Sequence, residues 1–425
     1  ASLEDNKHSM TSTKFRDTEP EHGLTLITLT VFLPFAGGYF LSYFYRSVNA
    51  IIAPQLISEI GLTAGDLGFL TSAYFLAFAA IQIPLGILLD RFGPRRVQST
   101  LLLGAALGAF LFSMGETQIT LIIGRALIGL GVAGGLMASL KAITMWYPQN
   151  RWPLVNGCFM AMGGLGAMAA TAPMELALTV TDWRHVFVIL SGTTVAVSLI
   201  IFLVVPERKG LGSPASLKDQ IRGVGSIFSN ALFWKLVPLA MTTLAANMAI
   251  QSLWVGPWFK DIGGFDRNGV ASNLLFLAFI MTVGFIGTGV IADYLTRRNV
   301  SLKSITVWGI ALFLVAQLAV IFEIDPQGFS VWVLFGLTMN VGILVYPQLS
   351  EHFPLTHTGR ANTAVNLLTF GWVFITQYGM GEIIDLWPTG PDGGYHPDAY
   401  RASFGTFLAL QFIAIVWFMI PTRKN

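Results

Sequence analysis

Long apolar runs alternate with short polar segments along most of this chain. Each run is close to the roughly 20 residues that an α-helix needs to cross a hydrocarbon layer of about 30 Å. The pattern therefore predicts twelve membrane-spanning helices. Their expected ranges are 24–54, 67–89, 97–114, 118–146, 154–180 and 186–205 in the first half, and 232–259, 270–292, 303–322, 330–350, 360–384 and 402–420 in the second.

The polar segment 206–231 is the only long interior break in this pattern. It predicts an N-terminal six-helix bundle at 24–205, a cytoplasmic linker at 206–231 and a C-terminal six-helix bundle at 232–420. Residues 1–23 and 421–425 are too polar to build a core and are predicted to be disordered or short cytoplasmic tails. Residues 1–9, which precede Met10, are interpreted as a cloning remnant, and no cleavable signal peptide is expected.

The composition agrees with an all-α integral membrane protein. Hydrophobic residues make up 54% of the chain and charged residues only 11%, with a mean hydropathy of +0.64. A soluble domain carries about a quarter charged residues. The formal charge of +2 gives no basis for nucleic-acid binding, and the single cysteine, Cys158, excludes an intrachain disulfide framework. The expected partners are a lipid bilayer and a small solute, with the chain acting as a monomer.

Lysine and arginine are distributed unequally between the two predicted membrane faces. Eighteen lie on the face that carries both termini, and four lie on the other face. The positive-inside rule therefore predicts that both termini are cytoplasmic, in an inner or plasma membrane.

The two halves contain related sequence segments. Gly86, Asp90 and Arg91 follow the second span, and Gly289 and Asp293 follow the eighth. The two aspartates are 203 positions apart, and the prolines Pro148 and Pro354, which follow the fourth and tenth spans, are 206 apart. This nearly constant offset predicts duplicated halves.

The stretch from Gly86 to Arg96 resembles the signature loop of the major facilitator superfamily, and the stretch from Gly289 to Arg298 resembles a weaker copy of it. Arg125, followed by spaced glycines at 129, 131 and 134, is similar to the fourth-helix motif of that family. The resemblance covers about 24–420. It implies two six-helix bundles that rock about a central site, driven by a proton or other ion gradient and without a cofactor.

A charged cluster at this loop could lock one conformation of such a carrier. The alternative is that the basic residues only anchor the topology. The predicted cytoplasmic gate consists of Gly86, Asp90, Arg91, Arg95, Arg96, Asp293 and Arg297.

Four ionisable residues fall inside predicted spans, where charge is costly and therefore marks candidate functional sites: Arg46, Arg125, Lys141 and Glu175. Their net positive charge would suit an organic anion or a carboxylate-bearing zwitterion. Arg46 lies in an aromatic and polar patch and resembles the first-helix arginine of anion-transporting branches of the superfamily. It is predicted to bind substrate, with a structural pair or snorkelling to the interface as the alternative.

The roles of the other three charges have alternatives. Arg125 and Glu175 could form a structural pair between the fourth and fifth spans. Alternatively, Glu175 could be the protonatable coupling group, with Arg125 tuning its affinity for the proton. Lys141 could bind substrate or belong to the inner gate, or it could snorkel to the interface.

Neutral polar residues and one tryptophan of the C-terminal half complete the predicted substrate site: Asn247, Gln251, Trp254, Asn340, Asn366 and Gln377. Amides can orient a solute without a charge penalty, and an indole can form an apolar wall. The alternative for the amides is hydrogen bonding between helices.

Several other patterns are interpreted as structural. The glycines at 129, 131 and 134 match a dinucleotide-binding motif but lie in a membrane span, where they indicate close helix packing. The methionine-rich fifth span indicates packing and not a copper route, and His396 with Asp392 and Asp398 indicates a solvated turn and not a metal site. The sequence contains no recognisable catalytic constellation.

The predicted function is secondary active transport of a small organic anion or zwitterion, imported by proton symport. The alternative is an antiporter that exports drugs or metabolites, although the fifth span lacks the compact glycine–proline order of exchangers. A third class, a non-transporting membrane sensor or an enzyme, has no catalytic set or soluble domain to support it.

Overall fold

The computed structural model describes residues 23–207, 222, 225–352, 355–390 and 393–420, apart from the side chains of residues 149, 153, 350–352 and 355–360. All regular structure in this part of the chain is helical. We number the helices as α1 (Leu24–Ser47, continued after Val48 by Asn49–Ile60), α2 (Ala64–Ala80), α3 (Gln82–Ser113), α4 (Gln118–Trp146), α5 (Leu154–Leu178), α6 (Trp183–Val204), α7 (Ala231–Asp261), α8 (Arg267–Arg297), α9 (Leu302–Ile321), α10 (Ser330–Leu349), α11 (Leu355–Ile384) and α12 (Pro397–Met419).

Ten of these helices are long and apolar enough to cross a membrane. The other two correspond to the second and eleventh predicted spans: α2 is a shorter apolar helix, and α11 carries several polar residues along its length. The all-helical membrane fold predicted from the sequence is confirmed. Local sequence explains the helix starts, since Thr63, Thr117, Asp182 and Ser301 each accept a backbone N–H as N-caps.

The stretch from Gly86 to Arg96, which resembles the family's signature loop, is mostly helical in the structure. Helix α3 already begins at Gln82 and runs through Asp90 and Arg95, with Gly93 as its only residue outside helical geometry. Gly93 has φ 77° and ψ 162°, a backbone conformation that residues with a side chain disfavour. The helix is therefore interrupted at this one glycine.

The two halves pack together through α2 and α11, which form the most extensive contact between them. Small residues allow this approach: a Cβ added to Gly68 would lie 2.8 Å from the carbonyl oxygen of Gln377, and one added to Gly381 would overlap the carbonyl oxygen of Ala64. Helix α1 also contacts α7, and α5 contacts α8.

Four of the helices that line the space between the halves contain breaks or irregular turns. Helix α7 contains a π-helical turn at Ile250–Trp254, and α10 leaves α-helical geometry near Asn340 and continues as a 3-10 turn, Val341–Leu344. Helix α1 breaks at Val48, and α5 breaks at Thr171. Irregular helical backbone in a membrane protein is tolerated where it borders a cavity, which directs attention to this region.

Candidate functional site

A central cavity lies between the halves, with α1 and α5 on one side and α7, α8 and α10 on the other. Among the described residues, no acidic side chain lines it. Its lining residues are Tyr43, Arg46, Met160, Ala161, Gly164, Asn247, Met248, Gln251, Met281, Thr282, Phe285, Ile286 and Asn340.

Arg46 supplies the one formal charge among these lining residues. Its side chain is 7% exposed, and its guanidinium carbon lies 4.6 Å from the ring centre of Tyr43, one turn earlier on α1. Phe78 and Phe370, one from each half, enclose it at 5.9 and 5.8 Å. Its Nε has no hydrogen-bond partner among the described residues. A buried cation with an unused donor, facing a cavity, is suited to binding an anion.

Three predicted amides lie in the same cavity and are hydrogen-bonded to the protein. Nδ2 of Asn247 donates to the carbonyl oxygen of Met339 at 3.1 Å, and Nδ2 of Asn340 donates to that of Met281 at 3.5 Å. Nε2 of Gln251 donates to the hydroxyl of Ser47 at 3.3 Å, which links α7 to α1 across the halves. These amides both line the cavity and hold its walls together.

The other four residues predicted to bind substrate lie outside this lining. Lys141 forms an ion pair with Asp90. Trp254 is fully buried. Its indole Nε1 lies 3.1 Å from the side-chain oxygen of Gln377 when that amide is oriented so that its nitrogen donates to the carbonyl oxygen of Ala249. Asn366 accepts a 2.6 Å hydrogen bond from Tyr346 between α10 and α11. In this conformation these residues connect helices.

Of the two alternatives for Arg125 and Glu175, the structural pair is not observed in this conformation. Arg125 is fully buried, donates from Nη1 to the carbonyl oxygen of Tyr45 at 2.9 Å, and lies 5.1 Å from the ring centre of Tyr74. Glu175 instead pairs with Arg267 at the start of α8. The two residues separate because α5 breaks at Thr171, and the short segment after the break directs Glu175 toward the other half.

The predicted gate residues lie at one end of the molecule, which we call the basic face, where α3, α4 and α6 end or turn. Besides the Asp90–Lys141 ion pair, Nε of Arg95 donates to the carbonyl oxygen of Phe202 at 2.7 Å, and Arg96 pairs with Glu207. None of these three contacts reaches the C-terminal half. Arg91 stacks on Phe92, Gly86 is partly buried, and in the second copy Asp293 pairs with Arg297 at 2.9 Å on the exposed end of α8.

The opposite end of the molecule, which we call the latch face, carries polar contacts between the halves. The carboxylate of Asp385, at the end of α11, accepts the backbone N–H groups of Ala64 and Gly65 at 2.9 and 2.7 Å. These donors are at the N-terminus of α2, where the helix dipole favours negative charge. Arg267 joins Glu175 on α5 and lies within hydrogen-bonding reach of Gln55 on α1.

A second cavity, of about 550 Å³, lies at the latch face beside these contacts. Glu175, Arg267, Lys260 and Asp261 are among its lining residues, and so is Tyr395 from the connection before α12. Burial, together with Asp385 and Asp261 nearby, raises the pKa of Tyr395, so its hydroxyl keeps its proton. We refer to this cavity as the latch-face vestibule.

Sequence reasoning missed the latch and several cavity residues. Asp385 follows the eleventh span and has no sequence signal beyond its position, because its partners are backbone groups 320 residues away. Tyr43 could have been found from its spacing, one helical turn before Arg46. Met160 belongs to the methionine-rich stretch that we interpreted as packing, whereas it lines the cavity.

The patterns interpreted as structural have structural contacts. Cβ atoms added to Gly129 and Gly131 would overlap backbone atoms of Tyr74 and Ala105, so this motif serves helix packing. His396 accepts the backbone N–H of Asp398 at 3.1 Å as the N-cap of α12, whereas Asp392 lies outside the described residues. Within the described part of the chain, no group of three or more His, Cys, Asp or Glu residues could hold a metal ion.

Comparison with known proteins identifies the family. The sequence profile of the Major Facilitator Superfamily matches residues 35–376. Similar proteins include the probable sulfoacetate transporter of Cupriavidus necator, at 26% identity over 62% of this chain and 65% of the relative, and the D-galactonate transporter of Escherichia coli O6:H1, at 27% over 62% and 66%. The hexuronate transporter of Escherichia coli K12 is 26% identical over 55% of this chain and 58% of its own length. The matched part thus spans about two thirds or less of these relatives.

Solved structures agree on the fold. A bacterial homologue of the human lysosomal transporter Spinster, in an inward-facing unoccupied conformation, matches with a TM-score of 0.71 at 19% identity, over 93% of this chain and 97% of that one. A D-xylose–proton symporter matches with a TM-score of 0.72 at 14% identity, over 92% and 98%. The chain therefore belongs to the Major Facilitator Superfamily, a family of membrane transporters and not of enzymes.

Proposed function

We propose that this protein is a secondary active transporter that moves a small organic anion by alternating access through the central cavity. The observation that carries the proposal is Arg46, a buried guanidinium in the cavity lining whose Nε has no hydrogen-bond partner among the described residues. Among the described residues no carboxylate lines that cavity, so an anionic substrate would supply the missing counter-charge. A zwitterion would also need an acidic partner for its ammonium group, and the cavity lining offers none.

The named substrates of the similar proteins support an anion. Sulfoacetate, galactonate and hexuronate are all organic acids that are ionised at neutral pH. Sulfoacetate is a dianion without hydroxyl groups, whereas galactonate and hexuronate are hydroxylated monoanions. The three names therefore support an anionic substrate and specify neither the number of its charges nor the rest of the molecule.

The basic face is proposed to be cytoplasmic, as the positive-inside rule predicts. Of the polar contacts between the halves that we identify, Gln251 with Ser47 lies beside the central cavity, and Asp385 with α2 and Glu175 with Arg267 lie at the latch face. The structure would then be closed toward the outside and open toward the cytoplasm. Transport would require these contacts to break while new ones form near Asp90 and Asp293.

Import by proton symport is proposed to use Glu175. Its side chain is buried, and its Oε2 has no hydrogen-bond partner among the described residues. Protonation would remove the charge that holds Arg267 and would favour opening of the latch face. A proton taken up from outside would therefore favour the conformation that admits substrate from the same side.

The test is uptake by the purified protein in liposomes with an imposed pH gradient, acidic outside. Accumulation of a radiolabelled organic anion should require Arg46 and be lost in Arg46→Gln, while Arg222→Gln, which alters an exposed arginine that is not among the cavity's lining residues, should transport normally. Glu175→Gln should abolish pH-driven accumulation and retain exchange between the two sides.

Export by antiport is the second candidate, and the largely apolar cavity lining is the observation that favours it. Under an acidic-outside gradient an antiporter would expel substrate from the liposomes instead of accumulating it. Efflux in that assay, or full uptake by Arg46→Gln, would overturn the proposed import of an anion.

A further inference from the structure

Two lysines meet at the basic face of the C-terminal half, where α7 and α9 begin and α12 ends. Nζ of Lys235, near the start of α7, donates to the carbonyl oxygen of Trp417 and lies 5.0 Å from the centre of its ring. Nζ of Lys303, at the start of α9, lies 5.5 Å from the ring centre of Phe418, the next residue of α12. The two ammonium groups are close enough to repel each other. We call these four residues the lysine corner.

The positive charge of the lysine corner is not balanced by the protein. Among the described residues, neither Lys235 nor Lys303 pairs with a carboxylate. Asp293, on the exposed end of α8, is already paired with Arg297 of its own helix. Two like charges held close together raise the free energy of the folded protein, and an anion beside them would lower it.

Exposed indole rings place the lysine corner at the depth of lipid headgroups. The side chains of Trp417 and Trp234 are 48% and 43% exposed. Their N–H groups are already used, since Nε1 of Trp417 donates to the carbonyl oxygen of Trp234 at 2.8 Å, and Nε1 of Trp234 donates to that of Phe228 at 2.7 Å. Tryptophan at the ends of membrane-spanning helices is typical of the interface between water and the hydrocarbon core.

An apolar surface continues from the lysine corner toward the middle of the membrane. Helices α9 and α12 pack against each other, and both carry exposed apolar side chains below the corner. These are Trp308, Leu312 and Val315 on α9, and Phe412 and Ile413 on α12. An occupant with a charged head at the corner and an acyl chain would find an apolar surface for that chain.

We propose that the lysine corner binds the phosphate of an anionic phospholipid, with its acyl chains along α9 and α12. A phosphodiester offers charged acceptor oxygens to both ammonium groups. A zwitterionic phospholipid carries the same phosphate together with a quaternary ammonium, which the two lysines repel. The cytoplasmic leaflet is the one rich in anionic lipid, which agrees with the orientation proposed above. The site is separate from the substrate cavity and does not depend on what is transported.

The test is lipid binding to the purified full chain in detergent, measured by native mass spectrometry. Three probes are compared: dioleoyl phosphatidylglycerol, dioleoyl phosphatidylcholine and soluble glycerol 3-phosphate. Phosphatidylglycerol should bind about 25-fold more tightly than phosphatidylcholine, since each lysine near an anionic headgroup contributes about five-fold. Glycerol 3-phosphate should bind far more weakly than either lipid, because it has no acyl chain to place on the apolar surface.

Variants assign the binding to the lysine corner. Lys303→Gln alters an exposed side chain and should lower the affinity for phosphatidylglycerol about five-fold, with no change for phosphatidylcholine. Lys235→Gln should lower it as well, although it also removes the hydrogen bond to Trp417. Arg151→Gln is the matched control, because it removes one exposed charge from the same face of the N-terminal half. It should bind phosphatidylglycerol as the parent chain does.

Three results would overturn the proposal. Equal affinities for the two phospholipids would show that the headgroup charge is not recognised. An equal loss in Arg151→Gln and Lys303→Gln would show a general attraction of the basic face and no site at the corner. Glycerol 3-phosphate binding as tightly as the lipid would identify a site for free phosphate esters. None of these results bears on Arg46, so the proposed transport of an anion is tested separately.

Discussion

At the scale of single residues, the two buried arginines of the N-terminal half have different surroundings. Arg46 faces the cavity between aromatic rings, whereas Arg125 is sealed between α1, α2 and α4. Nε and Nη2 of Arg125 have no hydrogen-bond partners among the described residues. A buried charge with so few partners does not stabilise a fold, so its contribution to stability should be small or unfavourable.

Replacing Arg125 by methionine should therefore leave the thermal unfolding midpoint unchanged or raise it. The lost hydrogen bond to Tyr45 contributes about 1.5–3 kcal/mol, and relief of the buried charge offsets several kcal/mol. Tryptophan fluorescence on heating measures the midpoint. Arg184→Met is the control that should lower it, because Arg184 is ion-paired with Glu59. A fall of more than about 5 °C in Arg125→Met would contradict this account.

The hydroxyl of Tyr43 should contribute to substrate affinity. Tyr43→Phe keeps the ring under Arg46 and removes one donor, which lowers affinity by about 3- to 10-fold for a hydrogen bond of about 0.5–1.5 kcal/mol. The Kd or the KM for uptake measures it. Tyr147→Phe, which removes a hydroxyl 3.1 Å from Thr28 and away from the cavity, should leave the affinity unchanged. Equal affinities for the Tyr43 variant and the parent would exclude this role.

At the scale of elements, glycines determine how closely the helices of a bundle approach. Gly129 on α4 rests directly against the backbone of Tyr74 on α2, and Gly166 on α5 rests against Phe40 on α1. Gly157, near the start of α5, has open space where a Cβ would be. Two glycines in membrane helices can thus have opposite tolerance for a methyl group.

Gly129→Ala should destabilise the protein, because the added Cβ would overlap the carbonyl oxygen of Tyr74, and overpacking costs about 1–3 kcal/mol. Gly157→Ala should be neutral or stabilising by about 0.5–1 kcal/mol, since alanine favours helix and meets nothing there. Thermal unfolding of both variants in the same detergent compares them. A Gly157 variant less stable than the Gly129 variant would refute the packing seen between α2 and α4.

At the scale of the whole molecule, the halves are held asymmetrically. Polar links cross between them at the latch face, while the ion pairs at Asp90 and Arg96 on the basic face do not reach the C-terminal half. The resemblance to the family's signature loop had predicted a gate whose residues lie at the basic face. The conformation in this structure depends on the opposite one.

Asp385→Ala should shift the population toward conformations open at the latch face. Two hydrogen bonds to a charged acceptor are lost, and a change of about 2 kcal/mol moves a two-state ratio about 30-fold. Spin labels at Val180 and Ile324, both exposed at that face, should move apart, after the single native cysteine, Cys158, is replaced by serine. Asp398→Ala is the control, because Asp398 pairs with Arg401 on its own helix. Unchanged label distances in Asp385→Ala would show that this carboxylate does not hold the halves together.

The sequence by itself determined the helical membrane fold, the approximate ends of the helices and which ionisable residues fall inside the membrane spans. These follow from hydropathy, from helix caps and from the cost of burying an ion, which are local properties of the chain. It also predicted that Arg46, Asn247, Gln251 and Asn340 bind substrate, and these four residues line one cavity.

Only the tertiary structure decided which charges meet. Glu175 pairs with Arg267 and not with Arg125, Lys141 pairs with Asp90 away from the substrate cavity, and Asp385 caps a helix of the other half. These partners depend on where α5 breaks and on how α2 and α11 pack. An ion pair or a helix cap requires atoms within a few ångströms, and that proximity is set by the relative placement of helices far apart in the chain.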